Sequence, residues 1–117
     1  MSTETDTIQY MYPTGSVLWM APEVMRAGSN SIDPYTTKSD VYAFGIVLFE
    51  LGTQTLPFNN FCPEMIIYNV GRGNPVGKIK LTNMRKDAPK GFIDLLNKCV
   101  EFNNESRPDF KQVCQSN

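Results

Sequence analysis

The densest apolar stretch of the chain runs from Val41 to Leu51, where apolar side chains occupy most positions. A helix that is apolar on all sides is normally buried, so we expect this segment to lie in the middle of the fold. Its start is predicted near Thr37. There Thr37 or Ser39 would accept hydrogen bonds from the first amides, and Asp40 would place negative charge in the first turn.

Two shorter segments have the pattern of amphipathic helices. One is predicted from Pro63 to Val70, because proline suits a first helical turn and Gly71 and Gly73 interrupt the pattern. The other has apolar residues at offsets 0, 3, 4, 7 and 8 from Phe92, which is the spacing of one helix face. These patterns predict a mainly α fold.

The ends of the chain give weaker patterns. Residues 1–14 are polar and aperiodic, so they are predicted to be a mobile arm or loop. The segment SVLWM, residues 16–20, favours a β conformation but is short. A last helix is predicted from Ser106, with Ser106 and Asp109 forming a capping box around Pro108.

The length of 117 residues and the composition point to one compact unit, or a piece of one. The longest apolar run is too short to span a bilayer and no secretory signal precedes it, so a cytoplasmic protein without a transmembrane segment is expected. Three cysteines, Cys62, Cys99 and Cys114, lack the spacing of a zinc or redox site. Buried small apolar residues are the favoured interpretation of all three.

Charge and residue types narrow the chemistry. The chain has no histidine, which removes the commonest general base and metal ligand. Its second part is mildly basic, but aromatic residues are not interleaved with the charges, so a solvated surface is favoured over a nucleic-acid groove. The glycines of NVGRGNPVG follow a predicted helix rather than a strand, and we do not interpret them as a nucleotide loop.

Several motifs in order carry a family resemblance. GSVLWMAPEV, SDVYAFGIVLFEL, LPF and ESRPDF resemble the C-terminal part of a eukaryotic protein kinase domain, and MIIYNVGRG resembles the Raf group of Ser/Thr kinases. The resemblance covers the chain from about Gln9. It implies the helical C-lobe of the protein kinase-like fold, incomplete. Residues 1–14 would be part of the activation segment, and residues 15–117 the substrate shelf, the APE motif and the following four helices.

The resemblance assigns three anchoring residues. Ala21, Pro22 and Glu23 match the APE triplet that closes the activation segment, and Arg107 matches the arginine that pairs with its glutamate. A bidentate guanidinium–carboxylate pair would hold the segment at its base. Asp40 matches an aspartate that accepts hydrogen bonds from catalytic-loop amides, a role compatible with first-turn charge.

A substrate-binding shelf is also implied by the resemblance. Ser16 matches the hydroxyl residue that helps to place the substrate hydroxyl, and Val17, Leu18, Trp19 and Met20 match the shelf for the substrate residue that follows it. For Trp19 a simple core position is the alternative.

The activation segment would also contain four hydroxyl residues. Thr3, Thr5, Thr7 and Thr14 are candidate phosphorylation sites on this interpretation, because a phosphate there could recruit an arginine and order the loop.

The motifs that bind nucleotide and metal in this family are absent from the 117 residues. There is no Gly-rich loop, no strand lysine with its helix glutamate, no HRD and no DFG. The resemblance therefore implies a fragment without catalytic, cofactor or metal residues of its own, from a parent that uses ATP and Mg to phosphorylate protein Ser/Thr. The implied partner is a downstream kinase, bound by the shelf and the helix Pro63 to Val70. The alternative is a non-catalytic interaction module that docks a substrate kinase or scaffold.

Overall fold

The computed structural model describes residues 16–27, 36–58, 61–74 and 77–111, with the side chains of Ser16 and Ala27 excepted. Four α-helices and two 3₁₀ turns follow one another along these ranges. They are a turn at Ser16–Trp19, α1 (Pro22–Ala27), α2 (Thr37–Thr53), α3 (Pro63–Arg72), α4 (Lys90–Cys99) and a turn at Asn104–Ser106. These ranges contain no strand, and the β-favouring SVLWM segment is mostly a 3₁₀ turn. The predicted mainly α class is confirmed.

Helix α2 begins at Thr37, as predicted, and its N-cap is the preceding residue. The N-cap is Thr36, whose Oγ1 accepts hydrogen bonds from the amides of Lys38 at 3.1 Å and Ser39 at 3.3 Å. Ser39 Oγ accepts in return from the Thr36 amide at 2.7 Å, which completes a capping box. Ser39 therefore accepts a bond from an amide at the helix start, as predicted, whereas the N-cap itself is Thr36 and not Thr37.

The core is built around α2. On one side, Tyr42 and Ile46 pack with buried residues of the first 3₁₀ turn, α1 and α3. On another side, Leu48 and Phe49 pack with Leu96 of α4. The expectation of a central, largely covered helix is therefore confirmed for two of its faces.

A third face of α2 is not covered by the described residues. Val47 is 41% exposed and Leu51, one helical turn later, is 62% exposed. An apolar strip therefore remains on the surface of the most apolar helix.

Helix α3 starts at Pro63 as predicted but continues to Arg72. Gly71 does not interrupt it. This glycine is buried, and a Cβ at its position would lie 3.4 Å from the Met25 Cβ, an ordinary van der Waals distance, so α1 packs directly against this part of α3. The helix ends at Gly73, whose φ of 73° lies in the left-handed region that favours glycine.

Helix α4 confirms the predicted third helix and carries the expected apolar face, with Leu96 and Cys99 fully buried. The expected start of a last helix at Ser106 was wrong. Ser106 ends a 3₁₀ turn that Asn103 caps by accepting from the Glu105 amide at 3.0 Å. Helical residues follow at Phe110 and Lys111. Within the described ranges, no helix combines the length and the apolar character that crossing a bilayer requires.

Candidate functional site

Arg107 forms a buried, bidentate ion pair with Glu23. Its Nη1 and Nη2 donate to the two carboxylate oxygens of Glu23, each at 2.8 Å. The Arg107 side chain is 0% exposed and that of Glu23 is 16% exposed. The structure therefore brings together two residues that are 84 positions apart in the sequence, as the APE resemblance implied.

The remaining donors of Arg107 bind backbone carbonyls. Its Nε donates to Glu101 at 2.7 Å, its Nη1 to Lys38 at 3.1 Å and its Nη2 to Phe102 at 3.2 Å. With the two bonds to Glu23, all five N–H groups of the guanidinium have an acceptor. One side chain thus ties α1 to the start of α2 and to the segment after α4.

Two further contacts complete this arrangement around Arg107. Lys38 Nζ donates to the Arg107 carbonyl oxygen. The guanidinium carbon lies 5.2 Å from the centre of the Tyr42 ring, within the range of a cation–π contact. The sequence alone did not indicate these partners. Tyr42 lies in the SDVYAFGIVLFEL motif, but nothing in that motif indicated that its ring lies beside Arg107.

The environment of Glu23 keeps it ionised. Burial by itself would raise the pKa of this carboxyl group. The hydrogen bonds from Arg107 and from its own backbone, together with the charges of Arg107 and Arg26, outweigh burial and hold the pKa below its ordinary value. Charge and geometry therefore favour the same bidentate pair.

Arg26 provides a second connection that sequence reasoning missed. Its Nη1 donates to the carbonyl oxygen of Gly71 at 3.0 Å, and its guanidinium carbon lies 4.7 Å from the centre of the Phe102 ring. In the sequence, the only indication of this connection was that Arg26 lies one helical turn after Glu23 in α1. Helix α1 is thus held to α3 as well as to Arg107.

The predicted shelf residues divide into two groups. Val17 and Met20 are buried in the core, each 4% exposed, whereas Leu18 and Trp19 are half-buried. Val17 and Leu18 also line an apolar groove of about 190 Å³, whereas Trp19 and Met20 pack with the core cluster. The groove is completed by residues that sequence reasoning did not assign to the shelf: Leu56, Pro57, Phe58, Phe61, Pro63 and Ile66.

Two neighbouring aromatic rings shape this groove. The rings of Phe58 and Phe61 are stacked with their centres 5.6 Å apart. Phe58 adopts a φ of 56°, a left-handed conformation that is uncommon for a bulky residue. The LPF motif contains Leu56 to Phe58, but nothing in its residue types indicated that it faces Val17.

Other predicted residues lie at the margins of the described structure. Asp40 is exposed in the first turn of α2, and no described residue donates a hydrogen bond to its carboxylate. The Ser16 side chain lies outside the described part, as do all four of the predicted phosphorylation sites, Thr3, Thr5, Thr7 and Thr14.

The cysteines do not share one environment. Cys99 is fully buried, as expected, and burial raises the pKa of its thiol to about 11. Cys62 is exposed at the position before α3, so the prediction that it is buried was wrong. Cys114 lies outside the described residues.

The chain matches known proteins over almost its whole length. Residues 2–116 match the family model described as protein tyrosine and serine/threonine kinase. The chain is 44% identical over 104 residues to the serine/threonine-protein kinase A-Raf of Homo sapiens, covering 86% of this chain and 16% of that protein. It is 40% identical over 108 residues to the Raf homolog serine/threonine-protein kinase of Caenorhabditis elegans, covering 92% of this chain and 13% of that protein.

These matches agree with the helical structure and with the order of the motifs. The chain spans only 16% and 13% of the lengths of these two relatives, so its match is to a limited part of each. The chain belongs to the protein tyrosine and serine/threonine kinase family and is a Raf-like portion of the helical C-lobe of its kinase domain.

Proposed function

We propose that this chain is the substrate-facing base of a Raf-like serine/threonine kinase, whose intact form transfers the γ-phosphoryl group of ATP to a protein hydroxyl. The observation that carries the proposal is the apolar groove beside Val17 and Leu18. Val17 and Leu18 come shortly before α1 in the sequence, and the Glu23–Arg107 pair holds α1 in place.

The lining of the groove suits an apolar side chain of a substrate. None of its eight lining residues carries a charge, and its volume of about 190 Å³ is below the range of about 300–1,000 Å³ typical of small-molecule sites. One side chain of an extended peptide is therefore a better match than a whole small ligand. In this proposal Ser16, just before Val17, helps to place the hydroxyl that is phosphorylated.

The arrangement of α1 gives the groove a rigid support. Glu23 is bound to Arg107 and Arg26 to Gly71, so both ends of this short helix are attached to other elements. A site is more selective when the residues behind it are held by packing and hydrogen bonds. The ion pair would thus act on substrate binding through the position of Val17 and Leu18.

The test compares two peptides that differ only in the residue after serine, leucine in one and aspartate in the other. Burying a leucine side chain stabilises by about 1.5–3 kcal/mol, so the leucine peptide should bind the chain at least about tenfold more tightly. Leu18→Asp should remove this preference, and Leu51→Asp, at an exposed position outside the groove, should retain it. Equal binding of both peptides by the folded chain contradicts the proposal. The measurement is an NMR titration.

ATP and Mg belong, in this proposal, to the intact parent kinase. In the described ranges, no group of three or more acidic or cysteine side chains is placed to hold a metal ion. The described residues therefore provide no site for Mg. We expect the purified 117-residue chain to show no magnesium-dependent ATP turnover, and detectable turnover that survives further purification contradicts this expectation.

A second candidate function is docking of a partner kinase without chemistry. It is favoured by the outer face of α3, where Met65 is 43% exposed and Tyr68 is 56% exposed. The Arg72 guanidinium carbon lies 4.6 Å from the centre of the Tyr68 ring, which makes this face both aromatic and cationic. Aromatic residues and arginine are enriched among the residues that dominate protein–protein binding.

The two candidates are separated by where substitutions act. For docking, the double variant Met65→Ala, Tyr68→Ala should weaken binding of a purified kinase that Raf-like kinases phosphorylate, while Leu18→Asp should not. For substrate placement, the peptide preference depends on Leu18 and is unaffected by the α3 variant. Surface plasmon resonance with the two folded variants measures both effects.

A further inference from the structure

A second cavity lies apart from the groove and shares no lining residue with it. It has a volume of about 420 Å³, within the range of about 300–1,000 Å³ typical of small-molecule sites. Its walls come from the start of α1, from α2, from the ends of α3 and α4, and from the segments that follow these last two helices. The apolar part of the wall includes Val70, Ile79, Val100 and Phe102.

Tyr42 places one polar group in this apolar wall. The residue is only 3% exposed and lines the cavity. Among the described residues, no buried side-chain nitrogen or oxygen lacks a hydrogen-bond partner, yet no described residue bonds to the Tyr42 hydroxyl. The hydroxyl oxygen must therefore touch space that a solvent molecule can enter, and the cavity supplies that space.

The hydroxyl is not needed for the packing of Tyr42. The ring already fills the core beside Ile46 and Met25 and lies 5.2 Å from the Arg107 guanidinium carbon. Phenylalanine would provide the same ring without a polar group that has to be satisfied at a cost. Burial raises the pKa of Tyr42, so the hydroxyl stays protonated and is able to donate.

The rim of the cavity indicates the charge of a ligand. Lys78 and Glu101 carry opposite charges, and Asn74 and Asn97 are neutral. Such a rim gives no net attraction to either an anion or a cation. A neutral ligand with an apolar body therefore matches the walls and the rim together.

We propose that this cavity binds a small, uncharged ring compound that accepts a hydrogen bond from the Tyr42 hydroxyl. The apolar rings of the compound would lie against Val70, Ile79 and Val100, and its acceptor would face Tyr42. This site is independent of the substrate groove and of the function proposed for it.

The test uses benzophenone, in which a carbonyl group lies between two apolar rings. In its hydrocarbon analogue, 1,1-diphenylethylene, a CH₂ group replaces the carbonyl oxygen. The analogue has nearly the same shape but accepts no hydrogen bond. Saturation-transfer NMR titrations with the full chain measure both affinities. Because a hydrogen bond contributes about 1 kcal/mol, benzophenone should bind about fivefold more tightly than the analogue. Tyr42→Phe should remove this difference.

A second pair of variants tests the location without altering Tyr42. Asn97→Phe places a ring at the cavity mouth and should weaken both compounds, whereas Lys98→Phe, at the next and also exposed position of α4, should weaken neither. If Tyr42→Phe does not fold, this pair of variants still tests whether the compounds bind in this cavity. Absence of binding to the folded chain, equal affinity for both compounds, or equal effects of the two α4 variants overturns the proposal.

Discussion

Burying a guanidinium group costs free energy because the group loses its hydration. In this chain five hydrogen bonds, two of them to a carboxylate, offset that cost. Arg107 is the largest of the fully buried side chains in the described structure. Its partners are Glu23 and three backbone carbonyls, so a side chain with fewer donors must lose some of these bonds. At this position arginine and lysine are therefore not equivalent.

Arg107→Lys is expected to lower the free energy of unfolding by about 3 kcal/mol, because the ammonium group cannot supply five donors in a planar fork. Arg85→Lys is the matched control. Arg85 pairs with Asp87 at 3.0 Å, but their side chains are 59% and 71% exposed, so a change within about 0.5 kcal/mol is expected. Urea unfolding followed by the fluorescence of Trp19 measures both, and similar effects of the two variants contradict this account.

The ion pair also predicts how stability depends on pH. The folded-state pKa of Glu23 lies below its ordinary value of 4.5. Its contribution to stability is therefore complete above that value and is lost as the pH falls through the lower folded-state pKa. We expect Glu23→Gln to flatten the decrease of unfolding free energy below about pH 5. Urea titrations at several pH values test this, and identical slopes for the variant and the wild-type protein argue against it.

At the scale of elements, the close contact between α2 and α4 depends on Gly45, a residue without a side chain. A Cβ at Gly45 would lie 2.6 Å from Val100 Cγ1 and 2.8 Å from Cys99 Cβ. Both distances are shorter than van der Waals contact, so the two helices approach more closely than any other residue at this position would allow. The apolar pattern predicted both helices but not the point at which they touch.

Gly45→Ala should destabilise the chain by about 1–3 kcal/mol, because overpacking outweighs the gain of about 1 kcal/mol in helix propensity. Gly91→Ala in α4 is the matched control, since nothing lies within 4 Å of its added Cβ. That variant should stabilise by about 0.4–1 kcal/mol. Opposite signs in thermal unfolding support the close approach, and a stabilised Gly45→Ala is inconsistent with it.

Helix boundaries show where local patterns were insufficient. Pro63 was a reliable start for α3, because the preference of proline for a first turn is a local property. Gly71 was wrongly expected to end the helix, since its packing against α1 outweighs its low propensity. The start at Ser106 was wrong because Ser106 ends a 3₁₀ turn, and the described helical residues begin only at Phe110.

At the scale of the whole molecule, α2 keeps an apolar strip that the described residues do not cover. Val47 and Leu51 are exposed in the described structure, whereas Leu48, on another face of the same helix, is only 7% exposed. Exposed apolar strips of this kind promote association and binding of hydrophobic dyes. We therefore expect the isolated chain to aggregate more readily than a chain without this strip.

Leu51→Lys should reduce aggregation and the fluorescence of a bound hydrophobic dye, with a change in unfolding free energy within about 0.5 kcal/mol. Leu48→Lys should instead destabilise strongly, by more than about 3 kcal/mol, because it buries an unpaired charge against Leu96. Light scattering, dye fluorescence and urea unfolding separate the effects. Unchanged aggregation and dye binding in Leu51→Lys shows that the strip is not responsible.

The sequence by itself determined the helices α2, α3 and α4, because helical periodicity and first-turn prolines are properties of neighbouring residues. It also determined the family, and with it the expectation that Glu23 pairs with Arg107. Only the tertiary structure decided what surrounds that pair, which residues complete the groove beside Leu18, and that Tyr42 opens onto a cavity. These features join residues that are far apart in the chain, such as Arg107 and Lys38, which are separated by 69 positions, and local patterns carry no information on such contacts.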